Sequence, residues 1–302
     1  MRAVCATGLL VLFLAASPGP AALEGPGSDS LPQRVQVVLR TLLPVSGAPP
    51  ELAAAGTAFR ASADLPCFYE RRGFAPAWSN GSGLLPRADE LAAALLAAGE
   101  HGLRPGDYPT AEIRRRIGLL PRSGQPPAPG ELADLDLLLT HAFLAYGAHL
   151  RDGRVSPREV QRDCAVERSP TDLAAVLEDA LAAGRVRPAL EELAPPHAGY
   201  RALRRQLAGL RETAVRGGWP AVPDGPTLHP DDRDDRVAAL RARLAATEEA
   251  PPDDPADPAV VDPLLVEAVQ AVQRRHGLEP DGITGPLTLR ALNVPAADRV
   301  RT

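Results

Sequence analysis

The residues that could do chemistry in this sequence are few, and none stands in a setting that activates it. Cys5 lies in the apolar leader, which leaves Cys67 and Cys164 as thiols of the body of the chain. A catalytic thiol needs a base and an orienting partner around it. Neither Leu65-Pro66-Cys67-Phe68 nor Arg162-Asp163-Cys164-Ala165 shows a recognisable one. Two cysteines in an oxidising compartment read either as a disulfide or as two small buried hydrophobes. A bridge closing so long a loop would contribute about 4 to 5 kcal/mol in the chain-entropy picture. His141 and His149, near Asp152, lie about two turns apart on one helix. That is too far for one metal ion held by adjacent turns. Glu191-Glu192 and the acidic run from Asp231 to Asp235 read as solvated charge at helix ends. A carboxylate pair for glycoside hydrolysis stays open, because its spacing is spatial. The zinc-helix, nucleophile-elbow, phosphate-loop and dinucleotide patterns are missing. No catalytic residue, metal ion or cofactor is expected.

Binding chemistry concentrates between Val261 and Val294. A helix with Leu265, Val269, Val272 and Gln273 facing inward ends at His276-Gly277. Leu278 follows, then Pro280-Asp281-Gly282-Ile283-Thr284-Gly285-Pro286-Leu287-Thr288 and a short helix reaching Leu292-Asn293. Asp281, Gly282 and Gly285 suit the turn itself: an acceptor for backbone N–H groups, a residue free to take positive φ, and a glycine that opens the last helix with Pro286. Gln273, Thr284, Thr288 and Arg290 can offer donors or acceptors to amides, sugar hydroxyls and carboxylates. Those seven are the candidate ligand-binding residues. Ile283, Leu289 and Leu292 are expected to fill the small core.

The elements that must position these residues are helices. From Leu31 onward apolar residues recur at three- and four-residue spacing, and alternating runs are almost absent, so the fold is predicted to be mainly α. The clearest helix spans about Glu131 to Arg151, with Leu132, Leu135, Leu139, Phe143, Tyr146 and Leu150 on one stripe and Gly153 just beyond. Further helices are expected over 86–99, 198–215 (stripe Tyr200, Leu203, Leu207, Leu210) and 232–246 (Val237, Leu240, Leu244). Ser169-Pro170 and Ser156-Pro157 read as helix starts, the first ahead of Leu173 to Ala183. Pro-rich segments at 121–130, 219–230 and 250–258 read as loops, with the middle one as the boundary between two domains. His101-Gly102-Leu103 and His276-Gly277-Leu278 read as two similar helix stops rather than a duplication.

Met1-Arg2, the uncharged run Ala3 to Ala16 and Ser17-Pro18-Gly19-Pro20-Ala21-Ala22 make residues 1–22 a secretory signal peptide, cleaved near Ala21 or Ala22. The run is shorter than the roughly 20 apolar residues of a bilayer span. The chain is therefore expected beyond the inner membrane, without a stable span, and 23–30 is expected to be flexible. Of 302 residues 45% are hydrophobic and 24% charged, as in ordinary globular chains. All 33 basic residues are arginines, the net charge is −5 and the only basic cluster is Arg114-Arg115-Arg116, which argues against nucleic acid as a partner.

Leu240 to Leu244, Ala268-Val269-Gln270-Ala271-Val272-Gln273-Arg274-Arg275-His276-Gly277-Leu278, Asp281-Gly282-Ile283-Thr284-Gly285 and Thr288-Leu289-Arg290-Ala291-Leu292-Asn293 resemble the three-helix peptidoglycan-binding domain of bacterial wall enzymes. Asp231 stands where that family commonly has a glycine. Phe68-Tyr69-Glu70-Arg71-Arg72-Gly73, Pro76-Ala77-Trp78, the helix around Leu137-Leu138-Leu139-Thr140-His141-Ala142-Phe143 and Gly217-Gly218-Trp219-Pro220 resemble the helical scaffold region of large murein L,D-transpeptidases. The resemblance implies a scaffold over 31–222 and a peptidoglycan-binding domain over 231–297, in a periplasmic or envelope protein whose partner is peptidoglycan. That family goes on to a domain with a catalytic cysteine that forms 3-3 cross-links by acyl transfer. This sequence reaches Arg301-Thr302 before any such domain, so the implied role is non-catalytic. Two other readings stay open: a free-standing wall-binding protein, and a murein hydrolase with an unrecognised carboxylate pair.

Overall fold

A computed structural model describes residues 29–43, 51–54, 57–60, 62, 64–121, 126–155, 171–247 and 257–301. The architecture is mainly helical, as the periodicity predicts, with two short antiparallel hairpins that it does not. Helix α1 (Leu31–Leu42) leads to strands β1 (Glu51–Ala54) and β2 (Thr57–Arg60), then α2 (Asp64–Arg71), β3 (Ser79–Asn80), β4 (Gly83–Leu84), α3 (Arg87–Leu96), a 3-10 turn (Ala97–His101), α4 (Thr110–Leu119) and α5 (Pro129–Asp152). After 156–170, α6 (Leu173–Ala183), α7 (Val186–Leu193) and α8 (Ala198–Val215) follow. The last third holds α9 (Arg236–Ala245), α10 (Pro263–Arg275), α11 (Pro286–Leu292) and α12 (Ala296–Arg299).

Helix α5 is the strut of the first core, with α1, α2, α3, α4, α6 and α7 packed around it. The expected stripe is buried, but so are Leu137, Leu138, Ala142 and Leu144 on its other faces. A helix that is apolar nearly all round belongs inside. It ends where Gly153 takes φ 80°. Two polar side chains sit in the middle of this helix, Asp136 at 1% and Thr140 at 0% exposure. Asp136 accepts from the Tyr69 hydroxyl at 2.7 Å, from Ala77 N–H at 3.0 Å and from Trp78 N–H at 2.9 Å. Thr140 Oγ1 accepts the Trp78 indole N–H at 2.9 Å and lies 2.9 Å from the Tyr69 hydroxyl. A buried polar group is tolerated only when so satisfied, and this network fastens the Tyr69-to-Trp78 segment to α5.

Helix α6 starts with Asp172 as its cap, whose carboxylate accepts from Ala175 N–H at 3.0 Å and pairs with Arg71 at 2.7 Å. That replaces the expected cap at Ser169, because the helix begins only at Leu173. Ser169, the helix start at Ser156-Pro157 and Cys164 lie outside the described residues. Cys67 is exposed on α2 and so is not a small buried hydrophobe. Helix α8 has no buried residue, and Leu203 of its expected stripe is 70% exposed. It rests on the 3-10 turn and on α12 instead, with the Tyr200 hydroxyl 2.7 Å from His101 Nδ1. Gly102 and Gly277, at φ 75° and 66°, end their helices in the same way: the N–H of Leu103 reaches Ala98 and that of Leu278 reaches Gln273. No described helix is long and apolar enough to cross a membrane.

A second core gathers Val237, Leu240 and Leu244 of α9, Leu265, Val269 and Val272 of α10, and Leu289 and Leu292 of α11. Val222 and Leu228 belong to it too, so the segment read as a boundary loop is part of this body's wall. Leu228 and Thr284 exchange backbone hydrogen bonds at 3.3 and 3.0 Å. Asp231 has φ 67°, a conformation in which glycine is at ease and other residues are strained. Asp231 stands just before α9, where the resemblance leads a glycine to be expected.

Candidate functional site

The turn after α10 is organised by one side chain. Gln273, 2% exposed, donates from Nε2 to Asp281 Oδ1 at 2.7 Å, to the Ile283 carbonyl at 3.0 Å and towards Thr288 Oγ1 at 3.2 Å. Its Oε1 accepts the Gly282 N–H at 2.9 Å. Asp281 Oδ1 also accepts from Ile283 N–H at 2.8 Å. These bonds, the Ile283 N–H first and the Gln273 amide second, hold its carboxyl below the usual carboxylate range. Gly282 has φ 77°, and a Cβ there would meet Val266 Cγ1 at 2.5 Å. Gly282→Ala is expected to destabilise this body by about 2 kcal/mol in chemical denaturation, by strain and by overpacking.

The other end of the body is fastened by aromatic and guanidinium contacts. Arg243, 2% exposed, donates from Nε to the Leu292 carbonyl at 2.8 Å and places its guanidinium 4.2 Å from the Trp219 ring centre. The Arg299 guanidinium lies 5.3 Å from the same ring. Trp219 Nε1 donates to the Val294 carbonyl at 3.0 Å. The Asn293 amide donates to the Val222 carbonyl at 2.8 Å and accepts the Val222 N–H at 2.9 Å. The chain from Trp219 to Val222 is thereby held along the end of α11.

Between that chain and α11 lies a groove of about 670 Å³, lined by Asp224, Gly225, Pro286, Leu289, Arg290, Asn293 and Val294. Asp224 and Arg290 are exposed and neither has a hydrogen-bond or ion-pair partner among the described residues. Pro286, Leu289 and Val294 supply apolar surface. An unspent guanidinium, an unspent carboxylate and an apolar lining suit a ligand that carries carboxylate, amide or ammonium groups on a short aliphatic frame.

Of the seven candidate residues only Arg290 lines this groove. Gln273, Thr284 at 1% and Thr288 at 4% exposure are turned inward, while Asp281, Gly282 and Gly285 shape the turn. Ile283, expected in the core, is half-buried and contributes its carbonyl to Gln273 instead. Asp224 and Asn293 were not among the candidates. The signal for them was Trp219, a large aromatic in a Pro- and Gly-rich stretch, which a free linker has no reason to carry.

Residues 233–292 match the family model described as a putative peptidoglycan binding domain. Over that stretch the chain is similar to peptidoglycan-binding domains. Residues 63–207 match a second model, described as a scaffold domain, and α5 with the helices packed on it from α2 to α7 falls inside that match. No curated protein matches the chain. The match to the peptidoglycan-binding domain takes in Arg290 but stops short of Asn293 and does not reach back to Asp224. Of the groove's lining, Pro286, Leu289 and Arg290 fall inside the match, and Asp224, Gly225, Asn293 and Val294 fall outside it.

Proposed function

We propose that the chain is the wall-binding and scaffolding part of an L,D-transpeptidase-like murein protein, exported behind a signal peptide at residues 1–22, with the scaffold over 31–222 positioning and the domain over 231–297 tethering. The single observation that supports the tether most strongly is the groove in which Arg290 and Asp224 stand uncommitted beside apolar surface, within and next to a matched peptidoglycan-binding domain. In this reading the Arg290 guanidinium takes a stem-peptide carboxylate through paired N–H donors, and Asp224 takes an amide or ammonium of the same peptide. Gln273, Asp281, Gly282, Thr284, Gly285 and Thr288 act one step removed, by keeping α10 and α11 in register. The role needs neither cofactor nor metal.

The purified chain is expected to co-sediment with purified sacculi and to leave their cross-links unchanged. Absence from the pellet contradicts the tether; new 3-3 cross-links or released soluble fragments contradict the non-catalytic role. Arg290→Ala, on the surface, is expected to weaken sacculus binding about tenfold with no change in thermal unfolding.

A further inference from the structure

Helix α8 carries Arg201, Arg204, Arg205 and Arg211 at spacings that put them along one stripe. With Ala208 between them and Glu100 of the 3-10 turn alongside, they line an open groove of about 480 Å³. Like charges so close on one helix oppose each other, and the core does not require them, since α8 buries no residue. Two carboxylates, Glu191 and Glu100, face the four guanidiniums, so a net positive charge remains. Arg211 donates to the Gly99 carbonyl and Arg201 to the Pro196 carbonyl, neutral acceptors that fix a guanidinium without neutralising it. Arg204 is shared between Glu191 at 3.1 Å and Glu100 at 3.4 Å. Arg205 is exposed and has no partner among the described residues. A chain of net charge −5 thus concentrates positive charge in one groove of its scaffold.

We infer that this groove is a second binding site, for a peptide bearing two or more carboxylates of the kind murein stems present. The inference rests on the proposal that the chain works at the wall. Guanidinium groups bind carboxylates through paired, directional N–H donors. Glu100 in the same groove favours a peptide, whose ammonium it can pair with, over a dense phosphate polymer, which it repels. The scaffold would then hold stem peptides at a point separate from the groove at Arg290.

The test is calorimetric titration of the full chain with soluble disaccharide-tetrapeptide from digested sacculi, in its acid form and with its carboxylates amidated, and with polyphosphate as the competing anion. The acid form is expected to bind, the amidated form at least tenfold more weakly, and Arg201→Gln and Arg205→Gln each to weaken the acid form about tenfold. Arg205 has no partner to lose, so its variant keeps the fold. Arg290→Ala is expected to remove what the first groove contributes, and in that background Arg201→Gln and Arg205→Gln are expected still to weaken the acid form about tenfold. Equal binding of the two forms, indifference to both arginine variants, or binding of polyphosphate without the peptide overturns the inference. If the parent chain pellets with sacculi while the peptide ignores Arg201 and Arg205, the second site fails and the wall-binding reading stands. If the chain does not pellet at all, the wall-binding reading itself fails.

Discussion

Asp136→Ala is expected to destabilise the scaffold by about 3 to 4 kcal/mol, the largest loss of any substitution considered. The carboxylate is the acceptor for the N–H groups of Ala77 and Trp78, and no other side chain is placed to take them. Each buried donor left without an acceptor costs about 1 to 3 kcal/mol, and the missing side chain leaves a small void besides. The Tyr69 hydroxyl keeps Thr140 as a neighbour and so loses less. Asp136→Asn retains an acceptor oxygen for the two N–H groups and is expected to cost less than about 2 kcal/mol. The two tryptophans of the chain lie in different bodies, Trp78 in the first core and Trp219 against the second. Urea unfolding followed by fluorescence in a Trp219→Phe background therefore reads the scaffold alone. Equal losses for the Ala and Asn variants would contradict this account of the network.

The same carboxylate gives the scaffold a pH signature of determinate sign. Burial pushes Asp136 from 3.8 up to about 6, against the pull of the Trp78, Tyr69 and Ala77 hydrogen bonds. Its folded pKa is raised, so its contribution is fully present below pH 3.8 and is lost as pH rises through about 6. His141, five residues further along α5, is shifted the other way by burial, from 6.5 down to about 4. Its contribution is present above pH 6.5 and is lost as pH falls through about 4. Each effect is on the order of 3 kcal/mol, and the slopes oppose each other across the same window. Relative to the parent, Asp136→Asn is expected to lose stability as pH falls from 7 to 4, and His141→Gln to gain it. Difference curves of the same sign for both variants would contradict the assignment.

Arg243→Ala is expected to cost the C-terminal body about 3 kcal/mol. The substitution orphans the Leu292 carbonyl, removes the guanidinium stacked on Trp219 and opens space under the end of α11. Arg243→Lys keeps the charge but not the planar stack, and is expected to recover less than half of the loss. Because Trp219 anchors the chain that forms the groove wall, the Ala variant is also expected to weaken sacculus binding. Trp219 fluorescence in a Trp78→Phe background follows the unfolding directly. A loss under about 1 kcal/mol would mean that the clamp between α9 and α11 is redundant.

Much of this was legible in the sequence where one rule acts alone. The stripe of α5, the glycine stops at Gly102 and Gly277 and the inward face of α10 each follow from a single local preference. What escaped was set by two distant segments at once. Asp136 and Thr140 look like ordinary polar interruptions of an apolar helix until Tyr69 and Trp78 are brought to them. Gln273 has the donors and acceptor of a ligand-binding residue, and only the folded turn shows that it spends its donors on Asp281 and Ile283 and its acceptor on the Gly282 N–H. Trp219 to Pro230 has the composition of a linker, yet Val222 and Leu228 complete a core that its Pro and Gly content conceals. The hairpin at Ser79 to Leu84 turns through Gly81-Ser82, with the Asn80 side chain accepting the Ser82 N–H and Gly83 at φ 120°, but its strands are too short to show alternation.

The central claim is that the wall is held in the groove between Asp224 and Arg290, and amide hydrogen exchange of the full chain with and without soluble murein fragments tests it most directly. Slower exchange over 222–225 and 286–294 on adding fragments is the predicted result. Unchanged exchange in both stretches at fragment concentrations that saturate the chain would contradict it.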